Sequence, residues 1–445
     1  MNMNKYFASM AIAGATGALV ATAAPDNGNP ASRMDRSKLL IGAYCLQANA
    51  RTEAHVKAIH DCGVDFIASV PVSAREMLDL FAKHGVGAIV TGVVPGWWGG
   101  NGKAGTLREV NTPEKYAAGV AAFQDHPAIW GIDIGDEPSA LDFPYYGEVV
   151  RQLKEALPGM PLYLNLYPNY ATVSQNTEAQ ARSQLGTKTY TEHVEAYCTN
   201  VPLDYLSYDF YVYVAPAGFK GYVARMYNNF LEVAGPCRRT GRSFWYIPQV
   251  NSRPGLPPLS VNCLRFQANV ALSFGAEAIT WGCWCKGWWE NNVLDKDGNQ
   301  TEQYEKLKKV NAELKTVGPQ YMKFKNVDTC FVGFPERGPG VPSLKFTRAD
   351  KLDFGPFTGL HASNGARLVV GEMEPRTPKV KGHALYVTAV DDPGDENHAE
   401  FEVVFAAKKV KAFGGSGSVP VRKLDDGTCA VKISSCEGVL LVSGK

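Results

Sequence analysis

Ile129-Trp130-Gly131-Ile132-Asp133-Ile134-Gly135-Asp136-Glu137-Pro138-Ser139 is an apolar run that ends in two adjacent acids and a proline. The apolar part suits a buried strand, and acids driven out of such a run are costly inside a fold unless they have partners or chemical work. On either side of it, short apolar runs alternate with amphipathic stretches, the pattern of parallel strands joined by crossover helices. Strands are expected at Leu39 to Leu46, Asp65 to Val70, Ala88 to Val93, Ile129 to Gly135, Leu162 to Leu166, Leu206 to Phe210, Phe244 to Val250 and Ala278 to Cys283. Eight such units are the number that closes a (β/α)8 barrel, and the block has a typical barrel length, which favours closure over an open doubly wound sheet.

Local signals between the strands agree with helices. Ser73 with Glu76 forms a capping box, Thr112-Pro113 supplies an N-cap and a first-turn proline, and Gly85 and Gly275 stand where helices stop. Tyr304, Leu307, Val310 and Leu314 recur at helical spacing in the last unit, so one face packs on the barrel. After about Pro319 the texture changes to short alternating strands such as His383 to Val390, Ala399 to Phe405 and Gly438 to Val442. The expected organisation is a leader over 1–23, a linker over 24–38, the barrel over 39–320 and a small antiparallel β-sandwich over 321–445.

Composition narrows the function. The 445 residues carry 45 basic and 44 acidic side chains with 45% hydrophobic residues, which excludes a disordered tail and gives no basic surface for nucleic acid. Residues 1–23 place Lys5 before an apolar stretch from Phe7 to Val20 and end in Ala21-Thr22-Ala23, the layout of a cleaved signal peptide. An exported protein without a membrane span is expected after removal of that segment, in the periplasm, at the cell surface or secreted. Export makes the ten cysteines possible disulfide partners, with connectivity open. Cys283 and Cys285 are too close for easy mutual bridging, and no cysteine group has a zinc spacing. No glycine-rich loop joins a strand to a helix and no Gly-x-Ser-x-Gly elbow occurs, so neither a cofactor nor a metal is expected.

Chemistry in a parallel barrel gathers at the C-terminal ends of its strands. Glu137 is the leading catalytic candidate there, with Asp136 beside it; the alternative is that the Asp136-Glu137-Pro138 turn only caps the next helix. Other rim positions hold Trp97 and Trp98 after the third strand, Asn165 and Tyr167 on the fifth, and Tyr208, Asp209, Tyr211 and Tyr213 on the sixth. Gln249 and Asn251 follow on the seventh, and Trp281 and Trp284 on the eighth. Indole platforms with amides, phenols and carboxylates suit a carbohydrate, which offers an apolar C–H face and many hydroxyls. Each Trp is equally suited to core packing, the pleat sends Tyr208 and Asp209 to opposite sides, and Asp209 suits either a catalytic or a structural role. His126, at the other end of the fourth strand, reads as a packing or capping residue.

The His126-Pro127-Ala128 lead into a strand ending Asp136-Glu137-Pro138, the Arg265 to Gly275 helix before Ala278 to Trp284, and Asp295-Lys296-Asp297-Gly298 before the final helix resemble barrel glycoside hydrolases of clan A. The resemblance covers roughly residues 39 to 320, and the terminal β domain is similar to the sandwich that often follows such barrels. It implies that Glu137 is the acid/base residue, usually preceded by Asn where this chain has Asp136. It also implies a nucleophilic Glu ending the seventh strand, where this chain has Pro248-Gln249-Val250, and an amide cannot form a glycosyl ester. Three readings follow. Glu137 acts as acid with Asp209 as base in an inverting reaction, which needs carboxyls about 6.5 to 9.5 Å apart. Alternatively, Asp136-Glu137 resembles the paired acids of substrate-assisted hexosaminidases, with Asp136 steadying a 2-acetamido group. In the third, catalysis is lost and the barrel only binds carbohydrate.

Overall fold

The structure, a computed structural model, describes residues 34–46, 51–73, 75–96, 98–99, 103–110, 126–171, 184–214, 218–284, 289–295, 297–390 and 400–444. The leader and most of the linker expected from sequence, Trp97 and the Thr112-Pro113 helix start lie outside these residues, as does the middle of the Pro168 to Lys188 stretch.

Eight parallel strands close into a barrel in sequence order: β1 (Leu40–Tyr44), β2 (Phe66–Pro71), β3 (Gly87–Thr91), β4 (Ile129–Asp136), β5 (Leu162–Leu166), β6 (Tyr205–Asp209), β7 (Ser243–Ile247) and β8 (Ala276–Gly282). Hydrogen-bonded register runs through every neighbouring pair and closes between β8 and β1, where Gly42 lies opposite Thr280. The helices described between and after them are α1 (Glu53–Asp61), α2 (Arg75–His84), α3 (Leu107–Val110), α4 (Phe143–Ala156), α5 (Tyr190–Asn200), α6 (Gly218–Thr240), α7 (Val261–Ser273) and α8 (Glu302–Tyr321).

Strand alternation divides the barrel into two cores. Residues of one parity, such as Ile41, Ile67, Leu164, Tyr208 and Ile279, join the large cluster between strands and helices. Residues of the other parity, Leu40, Phe66, Ala68, Ile89, Tyr163, Tyr205, Trp245 and Ala278, fill the lumen. Large rings fit there because small residues stand opposite. A β-carbon at Gly42 would lie 2.4 Å from the Phe66 ring, which in turn meets Trp245 at 6.0 Å between centroids. Trp245 stacks on Tyr205 at 4.2 Å. The lower barrel is therefore a plug of aromatic side chains, and only the end at which the strands finish is left for chemistry.

The C-terminal part is a sandwich. Its seven-stranded sheet has the order β10-β9-β13-β14-β20-β16-β17, built from β9 (Phe324–Val332), β10 (Thr347–Ala349), β13 (Leu368–Pro375), β14 (His383–Ala389), β16 (Val410–Gly414), β17 (Gly417–Val419) and β20 (Gly438–Ser443). The second sheet has the order β11-β12-β15-β19-β18, from β11 (Leu352–Phe354), β12 (Phe357–Ala362), β15 (Phe401–Ala406), β18 (Arg422–Lys423) and β19 (Cys429–Ile433). Pairing is antiparallel except between β9 and β10. Val370, Leu385, Val387 and Leu441 face Phe357, Val403 and Val431 across the sandwich. The other face of the larger sheet lies on α7, where Tyr386 donates to Asn269 Oδ1 at 2.8 Å and Ser273 and Thr388 share a hydrogen bond of 2.8 Å. A sheet covered on both sides has near-continuous apolar strands, as in Ala384-Leu385-Tyr386-Val387. The outer sheet instead alternates, as in Phe401-Glu402-Val403.

Among the described residues no helix is long and apolar enough to cross a membrane. Among the described residues, Cys62, Cys198, Cys237, Cys263, Cys330 and Cys429 carry free thiols. His126 stands below β4, its Nε2 3.0 Å from Asp79 and its Nδ1 accepting from Ala128 N at 3.2 Å.

Removing the largest ring of the plug tests its contribution. Trp245→Ala is expected to lower unfolding stability by about 3–5 kcal/mol, measured by urea denaturation followed by circular dichroism.

Candidate active site

Lumen-facing positions at the upper end of β1, β4, β5 and β6 bring Tyr44, Asp133, Asp136, Asn165 and Asp209 together, and the turn after β4 adds Glu137. Asn165 is the hub. Its Nδ2 donates to Asp136 Oδ1 at 3.1 Å and to Asp209 Oδ1 at 3.0 Å, and its backbone carbonyl accepts from Glu137 N at 2.9 Å. Its own Oδ1 accepts from Ser207 Oγ at 3.0 Å, and Ser207 pairs with the Tyr163 hydroxyl at 2.9 Å. That chain of bonds, anchored in the aromatic plug, fixes which end of the amide faces the acids.

Glu137 has φ 44, a left-handed conformation that costs a non-glycine residue of order 1–3 kcal/mol and persists only where neighbours hold it. Two backbone bonds do so: Glu137 N to Asn165 O, and Gly99 N to Glu137 O at 2.9 Å. The loop can approach this closely because residue 99 is glycine; a β-carbon there would lie 2.7 Å from Ser139 N and 2.8 Å from Gln184 O. Ser139, not an acid, caps the next turn, its Oγ accepting from Leu141 N at 3.3 Å. Asp136 and Glu137 are thus free of the capping role that sequence left open for them.

The Glu137 side chain is half-buried and its Oε2 accepts from Trp98 Nε1 at 2.7 Å. Asp209 of β6 is among the acids whose charge acts on it. Burial, then the negative charges of Asp209 and Asp136, push the Glu137 pKa well above the ordinary carboxylate range, against the opposing Trp98 bond. Asp209 is 5% exposed, and burial followed by the charge of Asp136 raises it to about 7, opposed by its bonds from Asn165 and Glu137. Burial thus holds both carboxyls toward their protonated forms. Tyr170 adds a long hydroxyl contact of 3.5 Å to Asp209 Oδ2.

Asp136 differs in being reached by solvent, although protein atoms crowd it and raise its pKa against the bonds it accepts from Asn165 and Tyr44. Asp133 lies one layer deeper. Burial, then the charge of Asp136, lifts it to about 8, while Gly135 N at 3.0 Å and the Ser69 and Thr91 hydroxyls bind it. Among the described residues no group of His, Cys, Asp and Glu has the arrangement to hold a metal ion.

Several rim positions expected to bind substrate are elsewhere. Tyr208 points away from the lumen and packs against Phe230, Phe244 and Tyr246, because it has the opposite parity to Asp209. Trp281 faces α8 and donates to Asn311 Oδ1 at 2.8 Å. Trp284 is fully buried against Tyr304, and its backbone N–H donates to Tyr44 O at 3.1 Å, so it supports the site without lining it. Gln249 is fully buried, its side chain bonded to Tyr213 N at 3.0 Å, Tyr213 O at 3.3 Å and Asn251 O at 2.8 Å. Tyr211 is buried, with Trp289 against its ring at 4.9 Å between centroids. Tyr44, Tyr170 and Asp133 escaped the sequence reading; the parity Leu40, Gly42, Tyr44 was the available signal for the first.

No protein-family model and no curated protein matches the sequence. Among solved structures, the chain is similar to an endo-β-1,4-mannanase from Thermotoga petrophila, at 10% identity over 89% of this chain and 91% of that one, with a TM-score of 0.44. It is also similar to a β-galactosidase from the psychrophilic Marinomonas ef1 (12%, 65% and 63%, 0.43) and to endo-glycoceramidase II from Rhodococcus sp. (13%, 92% and 99%, 0.43). Likeness of this degree adds nothing to the barrel already described and assigns no activity.

Replacing the indole donor tests the electrostatics. Trp98→Phe removes a bond that favours the charged carboxylate, so the Glu137 carboxyl is expected to titrate at higher pH than in the parent chain, read from its 13C resonance.

Proposed function

We propose that the protein is a glycoside hydrolase in which Glu137 is the general acid and Asp136 orients a 2-acetamido group of the substrate. The carrying observation is the placing of the two carboxyls after β4: Glu137 accepts from exposed Trp98 at 2.7 Å and is raised toward its protonated form by burial, whereas Asp136 is held by Asn165 at 3.1 Å. A protonated carboxyl at the barrel mouth suits donation to a glycosidic oxygen. A clamped carboxylate one residue away suits acceptance of an amide N–H. Exposed Trp98, tied to Glu137, supplies a flat apolar face beside the acid.

In the proposed first step the Glu137 proton passes to the leaving oxygen as the C1–O bond breaks with its electron pair. The acetamido carbonyl oxygen bonds to C1, giving an oxazolinium ion whose N–H Asp136 holds. In the second, the Glu137 carboxylate takes a proton from water, the water oxygen bonds to C1, and the ring opens to return the acetamide. No protein nucleophile is needed, which accords with Gln249 being committed to structural bonds. The exported location expected from residues 1–23 belongs to the same proposal, placing the enzyme where extracellular glycans occur.

Aryl glycosides with and without a 2-acetamido group test the reading directly. Cleavage confined to the acetamido series is expected, and comparable cleavage of both would remove Asp136 from the proposed role. Glu137→Gln is expected to lower kcat by about 10²–10⁴-fold with activated substrates, and unchanged turnover would overturn the assignment of the acid.

A further inference from the structure

We propose that Ser207 is a positioning residue acting through Asn165: its hydroxyl, itself oriented by Tyr163, donates to Asn165 Oδ1 and so obliges the amide to turn both N–H bonds toward Asp136 and Asp209. This rests on the reading of Asp136 as the group that orients the substrate, and it assigns Ser207 and Tyr163 no contact with substrate.

Strand register sets the residues in one row. Asp136 on β4 is paired with Asn165 on β5, and Asn165 with Ser207 on β6. Ser207 has the parity of Tyr205, faces the lumen with it and is fully buried. Tyr163, two residues before Asn165 on the same side of β5, reaches up from the plug until its hydroxyl is 2.9 Å from Ser207 Oγ. The Tyr163 ring stacks on Tyr205 at 6.3 Å and lies 6.0 Å from Trp245 between centroids, so the phenol oxygen has a fixed place. Ser207 Oγ is 3.0 Å from Asn165 Oδ1, and Asn165 Nδ2 is 3.1 Å from Asp136 Oδ1 and 3.0 Å from Asp209 Oδ1.

Counting hydrogens gives the chain its direction. Tyr163 and Ser207 each own one O–H, whereas the amide owns two N–H bonds and an acceptor oxygen. Among the described residues Ser207 is the hydrogen-bond partner of the buried Tyr163 hydroxyl, so the phenol hydrogen points to Ser207 Oγ. The Ser207 hydrogen then takes Asn165 Oδ1 as its acceptor, and the two amide hydrogens fall to the acids. Reversing the amide would turn the Ser207 hydrogen back on Tyr163 and leave the phenol hydrogen buried without an acceptor. The acids alone do not choose between the two orientations, because a protonated carboxyl donates to an amide oxygen as well as a charged one accepts from the nitrogen. With Ser207 in place, Asp136 Oδ1 and Asp209 Oδ1 are acceptors in every protonation state, and a proton carried by either acid sits on its other oxygen.

Neutron diffraction from deuterated crystals of the full chain locates these hydrogens and requires neither a variant nor a substrate. Deuterium is expected on the line from Tyr163 to Ser207, on the line from Ser207 to Asn165 Oδ1, and twice on Asn165 Nδ2. A Ser207 deuterium directed at Tyr163, or a reversed amide, would overturn the proposal. The catalytic consequence is read from kcat on 2-acetamido aryl glycosides. Ser207→Ala is expected to lower it by about 10²-fold, the scale of a small misplacement at a reacting centre, and Ser207→Thr, which keeps the hydroxyl, to recover most of that loss. Equal losses in the two variants, with the fold intact by circular dichroism, would assign the effect to packing and remove the positioning role. Where Ser207→Ala fails to fold, the neutron map decides the direction of the chain by itself. If Glu137→Gln is inactive while Ser207→Ala keeps its kcat, the hydrolase reading stands and the role of Ser207 falls. If the parent chain cleaves no glycoside, the hydrolase reading falls and the catalytic role of Ser207 with it, and the map still decides which way the amide is held.

Discussion

Four carboxyl groups, Asp133, Asp136, Glu137 and Asp209, converge on one end of a closed barrel, and among the described residues no cation meets them. Mutual repulsion and poor solvation oppose full ionisation of such a set, so protons must be retained and distributed among its members. The environment of each acid determines its share. Asp133 is enclosed and bound by hydroxyls, Asp209 is enclosed and bound by an amide, Glu137 borders the mouth, and Asp136 is open to it. Burial is the first cause raising each of the four, so all are held toward their protonated forms although their exposure differs.

The rest of the barrel maintains that burial. The aromatic plug of Phe66, Tyr163, Tyr205 and Trp245 excludes water from below. It also carries the Tyr163–Ser207–Asn165 chain of hydrogen bonds upward, so the orientation of the hub amide is set by packing. Only an amide can serve at position 165: it presents two N–H bonds to two acids on neighbouring strands and an oxygen to Ser207. A carboxylate there would add a fifth charge, and a leucine would leave Asp136 and Asp209 without their shared donor.

The barrel and the sandwich were legible in the sequence because each depends on periodicity, and the expected strand at Leu162 to Leu166 has the observed bounds. The prominence of Asp136-Glu137 came from charge following an apolar run, a signal that survives without coordinates. Residues at strand ends were harder. Tyr208 and Trp281 lie on the helix side of their strands, and parity around a barrel becomes certain only when the register with both neighbours is known. Trp284 and Gln249 occupy rim positions in the sequence yet are sealed by tertiary contacts that no local pattern reports. Tyr44 and Asp133 went unnoticed for the opposite reason: each is a single polar residue in an apolar strand, and its significance comes from Asp136, on another strand or three residues away.

The surroundings of Gln249 bear on what the missing strand-7 acid means. A retaining pair of carboxyls stands about 5–5.5 Å apart and an inverting pair farther still, because a sugar carbon or a water must fit between them. Gln249, whose side chain is bonded to Tyr213 and Asn251, has no ionisable group to offer. On the proposed reading the chemistry is that of one proton donor, Glu137, with one oriented carboxyl, Asp136, beside it. A substrate that brings its own nucleophile completes that set, whereas one without it would find an acid and no means of stabilising the positive charge that develops at C1 other than Asp136 itself. Asp136 is clamped by Asn165 on a neighbouring strand and by Tyr44 on β1, which is anchored in turn by the Trp284 peptide. That rigidity favours fixed recognition of an amide N–H over the movement that attack on C1 would require.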